Sequence, residues 1–364
     1  MRSALVEADP TIETQTVDSY QYAASIFAKV VADGYIGMVK TVPQLYGYFY
    51  DRVERATHVP TMRRLVSRYT AGNLRKFVES YAPDLVVCTH AFPCGVMSEY
   101  KRQFDPSLPV VGIVTDFVGH PFWIYSNVDA YAVATPEMRA TLLARGVRDD
   151  RIVLSGIPVD PRFGAPRVGV DALRAQLGLP RDRPVVLMMG GGVGIGPLEE
   201  MMRALGTIES PLAAAVIVGR NRALERRVTA AAERTAYPLR VFGFVENVFD
   251  YMHASDVLVS KPGGLTSSEA LAARIPMVLV KPLPGQEERN TRFLVSREAA
   301  IRARGVEAIA AAVSDILASS SLRAQLGRQI EALRKPDAAC RIADRIVTLL
   351  DRRVAAGGVA ATGD

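Results

Sequence analysis

Short apolar runs alternate along this chain with longer stretches of helical periodicity, and Gly and Pro punctuate the changes. In the first half the pattern predicts strands at Ile12–Val17, Asp84–Thr89, Val110–Thr115 and Ala130–Ala134. It predicts helix over most of Tyr20–Arg55, interrupted near Gly34, Gly37 and Pro43, over Met62–Tyr81, and over Glu137–Arg145 before Gly146. His90–Cys94 reads as a loop, and Val153–Asp160 runs into a Pro/Gly/Arg linker ending near Arg167. The pattern then restarts, with strands at Val185–Met189, Ala214–Val218, Val241–Phe244, Val257–Val259 and Met277–Val280. Helices are predicted at Leu198–Gly206, Arg222–Ala236, Val248–His253 and Thr266–Ala273. A long helix, Ala338–Val354, follows the breaker Pro336, and a small-residue tail from Ala355 is expected to be disordered. Repeated strand–helix alternation implies an α/β protein built on parallel sheets with helical crossovers. The expected division is 1–162, 163–336, the helix 337–354 packing back on the first domain, and the tail 355–364.

Composition adds only boundaries. A length of 364 residues fits about two domains, and 49% hydrophobic content supplies two cores. Cys88, Cys94 and Cys340 have no metal-ligand spacing and are expected to be reduced, buried thiols. No secretory signal and no 18-residue apolar run is present, so the expected location is cytoplasmic. The net charge is +6, and part of it is concentrated: Lys40–Ser80 carries eight basic residues against three acids. Tyr35, Tyr46, Tyr48, Phe49 and Tyr50 lie in or beside that stretch. Basic residues next to amphipathic rings fit an anionic membrane surface, and a solvated helical face fits them as well. No nucleic-acid module is recognisable, so nucleic acid is not an expected partner.

The chemistry concentrates in two loops. Ser260-Lys261-Pro262-Gly263-Gly264-Leu265-Thr266 joins a buried strand to a helix start. Unpaired backbone N–H groups and the helix dipole make such a junction an anion site, and Gly263 and Gly264 clear a path to the backbone. Glu269 falls within the first turns of that helix, within reach of ribose hydroxyls. The next strand ends in Pro282-Leu283-Pro284-Gly285-Gln286-Glu287-Glu288-Arg289-Asn290. Gln286 and Glu287, read as adjacent turn positions, offer the donor and acceptors that a polyhydroxylated ring needs, and Asn290 extends the set. Both loops emerge at one sheet edge, where ligands of such sheets bind. The turn Gly190–Gly196 has no phase with the dinucleotide spacing of glycines, so it reads as a diphosphate clasp or a tight corner.

This pair of loops resembles the C-terminal domain of the monogalactosyldiacylglycerol synthase and processive diacylglycerol glycosyltransferase family. The resemblance extends more weakly from about Val17 to Leu350, and more distantly to the lipid-linked N-acetylglucosaminyltransferase of peptidoglycan synthesis. It implies a GT-B architecture, two Rossmann-like parallel-sheet domains facing a cleft, with a first domain for acceptor and membrane and a second for UDP-sugar. It implies inverting transfer of a hexose from a UDP-sugar to a lipid, diacylglycerol in this family, at the inner face of the membrane, with no cofactor besides the donor. It implies that Gly191 and Gly192 face the donor and that Phe244 and Val245, in Gly243-Phe244-Val245-Glu246-Asn247, hold the base. Phe244 reads equally as a core residue. Lys261 is placed to stabilise the leaving diphosphate, and Arg162 to reach it. Thr115-Asp116-Phe117 and His120, with Trp123 behind, resemble the acceptor-side loop, which makes Asp116 or His120 the expected base, with His90 as a further acceptor-side residue. No metal is expected, because no Asp-x-Asp occurs and helix dipoles with Arg or Lys can serve.

The family begins with a strand, a Gly-rich loop carrying a His, and a helix. Met1-Arg2-Ser3-Ala4-Leu5-Val6-Glu7 reads as the last turns of that helix. The expectation is a chain lacking the first strand and loop, by a misplaced start or a true truncation, that binds UDP with little transfer. A non-catalytic nucleotide-sugar or lipid binder and a UDP-sugar epimerase on the same fold are the alternatives.

Overall fold

The computed structural model describes residues 1–22, 59–166, 169–190 and 197–360. The chain divides into two compact units: Met1–Pro158 with Leu283–Gln286 and Asp337–Asp364, and Val159–Pro282 with Glu287–Pro336.

In the first unit the order is α1 (Arg2–Ala8), a 3-10 turn at Ser19–Tyr22, α2 (Val59–Tyr81), β1 (Val86–Cys88), α3 (Ala91–Gln103), β2 (Val110–Ile113), β3 (Ala130–Val133), α4 (Pro136–Ala144) and β4 (Ile152–Leu154). The strands form one parallel sheet in sequence order, with Val86 opposite Val110, Val111 opposite Ala130 and Tyr131 opposite Ile152. β2 and β3 are buried at every position because helices cover both faces. One face packs under α2, α3 and α4 through Leu74, Val78, Met97, Trp123 and Met138.

Two expectations fail in this unit. Residues 12–18 form no strand. Ile12 packs against an apolar layer, but Glu13-Thr14-Gln15-Thr16 offers no second anchor and Val17 is exposed. His90–Cys94 is not a loop, since α3 starts at Ala91 with the His90 ring accepting from Phe92 N–H at 3.3 Å. Pro93 sits in the first turn, where no N–H is needed. Gly95 is not a breaker but a clearance, because a Cβ there would lie 2.4 Å from the Tyr125 hydroxyl.

In the second unit follow α5 (Val170–Leu177), β5 (Val185–Met189), α6 (Leu198–Leu205), β6 (Ala213–Ile217), α7 (Arg222–Ala232), β7 (Leu239–Phe242), α8 (Val248–Ala254), β8 (Val257–Ser260), α9 (Gly264–Ala272), β9 (Met277–Val280), α10 (Gln286–Ser296), β10 (Ala300–Ala303), α11 (Val306–Ala318) and α12 (Ser320–Leu333). Six parallel strands take the order β10-β9-β8-β5-β6-β7. β5, β6, β8 and β9 are buried throughout. Arg174 of α5 locks the lower edge: buried, it donates to the Ala254 carbonyl at 2.8 Å and to Asp256 at 2.7 Å. Asp256 also accepts from Val185 N–H at 2.8 Å, so one carboxylate ties the starts of β5 and β8.

The last helix, α13 (Ala338–Ala360), returns to the first unit. Ala339, Ile342, Ala343 and Ile346 pack with Ala4 and Leu5 of α1 over Val111, Ile113, Ala130 and Ala132, covering the other sheet face. Arg345 and Arg353 donate to the Asp150 and Asp84 carbonyls at 2.8 and 2.7 Å. α13 runs to Ala360, so residues 355–360 are helical and not the expected disordered tail; residues 361–364 lie outside the described set. Cys88 and Cys94 are buried, whereas Cys340, on the outer face of α13, is exposed against expectation. Among the described residues no helix is long and apolar enough to cross a membrane, and no three His, Cys, Asp or Glu cluster as a metal site.

One core position is imperfect. The Thr70 hydroxyl on α2 is buried with no hydrogen-bond partner. An unpaired buried hydroxyl costs free energy that a methyl does not. Thr70→Val is expected to raise unfolding stability by about 1 kcal/mol, read as a higher urea midpoint at unchanged slope. A lower midpoint would mean that the hydroxyl is satisfied.

Candidate functional site

The chain fills β5, β6 and β7 outward in one direction, then returns beside β5 to fill β8, β9 and β10 in the other. Strand order therefore reverses between β5 and β8, and in sheets of this kind ligands bind at the carboxyl ends beside such a switch point. From β8, Lys261–Gly263 turns directly into α9. Ser267 N–H is the first to close on a helical carbonyl, that of Gly263, at 2.9 Å. No side chain caps this terminus. Among the described residues the N–H groups of Gly264, Leu265 and Thr266 have no acceptor, and the space beside Gly263 is open. Such a terminus carries a partial positive charge and unused donors.

Glu269 lies in the second turn of α9 and is half-buried. Among the described residues its carboxyl has no hydrogen-bond or ion-pair partner. Loss of water, then the nearby Asp160 charge, pushes its pKa up to about 7. A partly dehydrated acceptor without a partner thus lies one turn from a helix terminus with unused donors. Asp160 was not foreseen. It begins the turn Pro161–Gly164 by accepting from Arg162 N–H at 2.9 Å, and the Asp-Pro pair was the signal for that cap. Arg162 is engaged locally: it pairs with Asp160 at 2.7 Å and lies 4.3 Å above the Phe249 ring.

The second loop departs from its expected form. Gly285, at φ +89°, reverses the chain, and Gln286 and Glu287 are the first residues of α10, not turn positions. Glu287 pairs with Lys261 at 3.1 Å, both side chains mostly shielded from solvent. The residues expected to share a sugar and a diphosphate thus meet each other. Asn290 is buried and donates to the Pro262 carbonyl at 3.3 Å, so it braces the first loop. Lys281, with φ +38° at the end of β9, forms an ion pair with Glu200 of α6.

At the carboxyl ends of β6 and β7, Phe244 is 53% exposed, which excludes the core reading, and Val245 beside it is half-buried. The Arg220 guanidinium stands 4.1 Å from the Phe244 ring centroid. Gly191 and Gly192 lie outside the described residues.

In the first unit, Asp116 and His120 sit on the loop after β2. Thr135 fixes this loop by donating to the Phe117 carbonyl at 2.7 Å while capping α4 through Met138 N–H at 3.1 Å. Asp116 is 4% exposed and accepts from the Gln286 amide, whose segment belongs to this unit. His120 is on a loop, as expected, and buried, with its ring against Phe122. His120 Nδ1 accepts from Phe122 N–H at 3.2 Å, which commits that lone pair and puts the ring proton on Nε2. His90 caps α3 and meets the Tyr20 hydroxyl at 3.4 Å.

Comparison with known proteins comes from both units. Residues 3–159 match the family described as monogalactosyldiacylglycerol (MGDG) synthase, and residues 170–332 match glycosyl transferases group 1. The chain is 30% identical over 317 residues to the processive diacylglycerol beta-glucosyltransferase of Bacillus subtilis strain 168, covering 86% of this chain and 81% of that one. It is 29% identical over 305 residues to the enzyme of the same description from Bacillus cereus strain AH187, covering 84% and 77%. Acinetobacter baumannii MurG superposes with a TM-score of 0.55 at 18% identity, covering 80% of this chain and 79% of MurG. Anabaena HepE in complex with UDP and glucose gives 0.54 at 14%, covering 76% and 81%. At those identities the superpositions bear on the fold, two Rossmann-like parallel-sheet units of the GT-B kind.

Proposed function

The chain belongs to the monogalactosyldiacylglycerol synthase and processive diacylglycerol glycosyltransferase family, and we propose that it transfers a hexose from a UDP-sugar to the hydroxyl of a diacylglycerol, with inversion. The uncapped terminus of α9 carries this reading, with open space at Gly263 and a partnerless Glu269 one turn on. The N–H groups of Gly264, Leu265 and Thr266 hold the diphosphate, and Lys261 neutralises it as the leaving group departs. Glu269 accepts from the ribose hydroxyls. Phe244 and the Val245 backbone hold the base, and Gln286 and Glu287 address the sugar hydroxyls. Glu287 exchanges its bond to Lys261 for a sugar hydroxyl when the diphosphate arrives. Asp116 takes the acceptor hydroxyl's proton as the anomeric carbon is attacked. The committed Nδ1 of His120 argues for orientation of the loop and against the base role.

Against the little transfer that the sequence alone predicts, family membership leads to the expectation that incubating the protein with UDP-glucose or UDP-galactose and dispersed diacylglycerol releases UDP and forms hexosyl-diacylglycerol of β configuration. UDP binding without any glycolipid product would instead support a nucleotide-sugar binder, and interconversion of the UDP-sugars an epimerase.

A peripheral seat on an anionic membrane is part of the proposal. Most of the basic and aromatic stretch, including Lys40, Arg52 and Arg55, lies outside the described residues, as does the Arg63 side chain. On the outer face of α2, Leu65 and Tyr69 are 60% and 59% exposed one turn apart. Arg68 and Lys76 flank them, exposed and without a partner among the described residues, whereas Arg64 and Arg75 are held by Glu99 and Glu79. This combination supports binding at anionic headgroups. Sedimentation with vesicles should rise with phosphatidylglycerol content and fall with salt. The pair Arg68→Gln and Lys76→Gln should lower the vesicle binding constant by about tenfold or more, since each charge is worth about 1 kcal/mol. Binding indifferent to lipid charge would remove the membrane from the proposal.

A further inference from the structure

Arg220 has a position without a structural duty. It follows β6, and among the described residues no carboxylate or carbonyl accepts from it. Its contact is the Phe244 ring, 4.1 Å from guanidinium carbon to centroid. Both groups are exposed, so the pairing buries neither.

The backbone around Arg220 is held firmly. Val218 N–H continues the ladder to the Phe242 carbonyl at 2.9 Å, and Gly219 N–H reaches the Gly243 carbonyl at 3.3 Å. Gly219 adopts φ +77°, which a side chain would resist, so the chain turns sharply there. Asn221 then caps α7, accepting from Leu224 N–H at 3.0 Å. Across the turn, a Cβ on Gly243 would meet the Glu225 carboxylate at 3.0 Å, so the Phe244 loop is packed against the first turn of α7. Two loops from neighbouring strands are thus tied together and present one cation on one ring at the sheet edge that carries the anion site.

A guanidinium stacked on an aromatic face keeps its N–H groups in a plane beside the ring, free to donate edge-on. Five directed donors without acceptors, held by a cation–π contact, complement a planar ligand that presents carbonyl oxygens. We propose that Arg220 reads the nucleobase of the donor, donating to the C4 carbonyl of uracil whose ring is seated at Phe244. This rests on the reading that the second unit binds a UDP-sugar. Cytosine presents an amino group where uracil presents its second carbonyl, so two donors would meet and the guanidinium would stay unpaired. A site built to hydrogen-bond one group rejects the analogue that lacks it.

The test is titration calorimetry of the full chain with UDP and with CDP. Wild type is expected to prefer UDP by tenfold or more, on the order of one charged hydrogen bond. Arg220→Gln should weaken UDP about tenfold, leave CDP unchanged and so collapse the ratio, with an unaltered melting temperature because the side chain is exposed. Arg220→Lys keeps the charge but loses the planar fork, and should collapse the ratio too. Phe244→Leu should weaken both nucleotides and also remove the preference. An unchanged UDP/CDP ratio in Arg220→Gln overturns the inference. Equal weakening of both nucleotides in that variant also overturns it and assigns Arg220 to a phosphate. No UDP binding by wild type would overturn the donor reading itself, and this inference with it.

Discussion

Replacing Asp116 with Asn lowers kcat for glycosyl transfer by about 10²–10⁴-fold and leaves the Kd for UDP within about twofold. The carboxylate is buried on a loop that Thr135 and the Phe122 N–H bond hold in place. Asn preserves its shape, and its carbonyl can still accept from Gln286, so the loop should survive the change. What is lost is the basic oxygen that receives the acceptor's proton as the glycosidic bond forms. His120→Asn is the companion variant. An Asn oxygen can replace Nδ1 as acceptor for Phe122 N–H, as in an Asx turn. Because that lone pair is already committed, His120→Asn should cost less than about tenfold in kcat. Single-turnover rates with saturating UDP-glucose distinguish the two. A small effect at Asp116 with a large one at His120 would move the base to the histidine and require its other tautomer.

Glu269→Gln should make the free protein more stable and its UDP complex weaker, both most strongly above neutral pH. The folded-state carboxyl titrates at about 7, against an ordinary value of 4.5. Between those values the folded protein holds a proton that the unfolded chain has released. Stability is therefore lost as pH rises from 4.5 through 7, because a poorly solvated charge is being created. Gln carries no such charge. At pH 8 the variant should exceed wild type by about 1–2 kcal/mol, less than the full linkage value because the carboxyl keeps some contact with water; near pH 4.5 the two should coincide. UDP reverses the ranking, since ribose hydroxyls donate to the ionised carboxylate. Wild-type affinity should fall more steeply than that of Glu269→Gln as pH drops from 8 to 6, the variant keeping only the dependence that the terminal phosphate of UDP imposes and binding about 10–100-fold more weakly at pH 8. Denaturation and calorimetry across this range check both parts. Parallel pH profiles in the two proteins would remove Glu269 from the ribose.

Much of this was legible in the chain. Val185–Met189, Ala213–Ile217 and Val257–Ser260 are nearly unbroken apolar runs because parallel strands are covered on both faces, and their strand character needs no distant information. The Lys261–Thr266 turn and the placement of Glu269 on the following helix were legible for the same reason: a glycine pair and a helix start are settled by a few adjacent residues. Where local signals competed, the reading failed. Pro93 and Gly95 look like breakers and instead begin a helix, one by lying in a turn that needs no N–H, the other by making room for Tyr125. Side-chain partnerships belong to another scale. Nothing local distinguishes Asn290, buried against Pro262, from Gln286, four residues earlier and joined to Asp116. Lys261 and Glu287 pair because β8 and β9 are neighbours, Arg220 meets Phe244 because β6 lies beside β7, and Glu269 is lifted to about 7 because the fold strips water from it and, second, sets Asp160 nearby. Propensity and burial pattern act over one strand or one helical turn, whereas electrostatics and desolvation depend on which segments the crossovers return to one edge, and only the folded sheet order decides that.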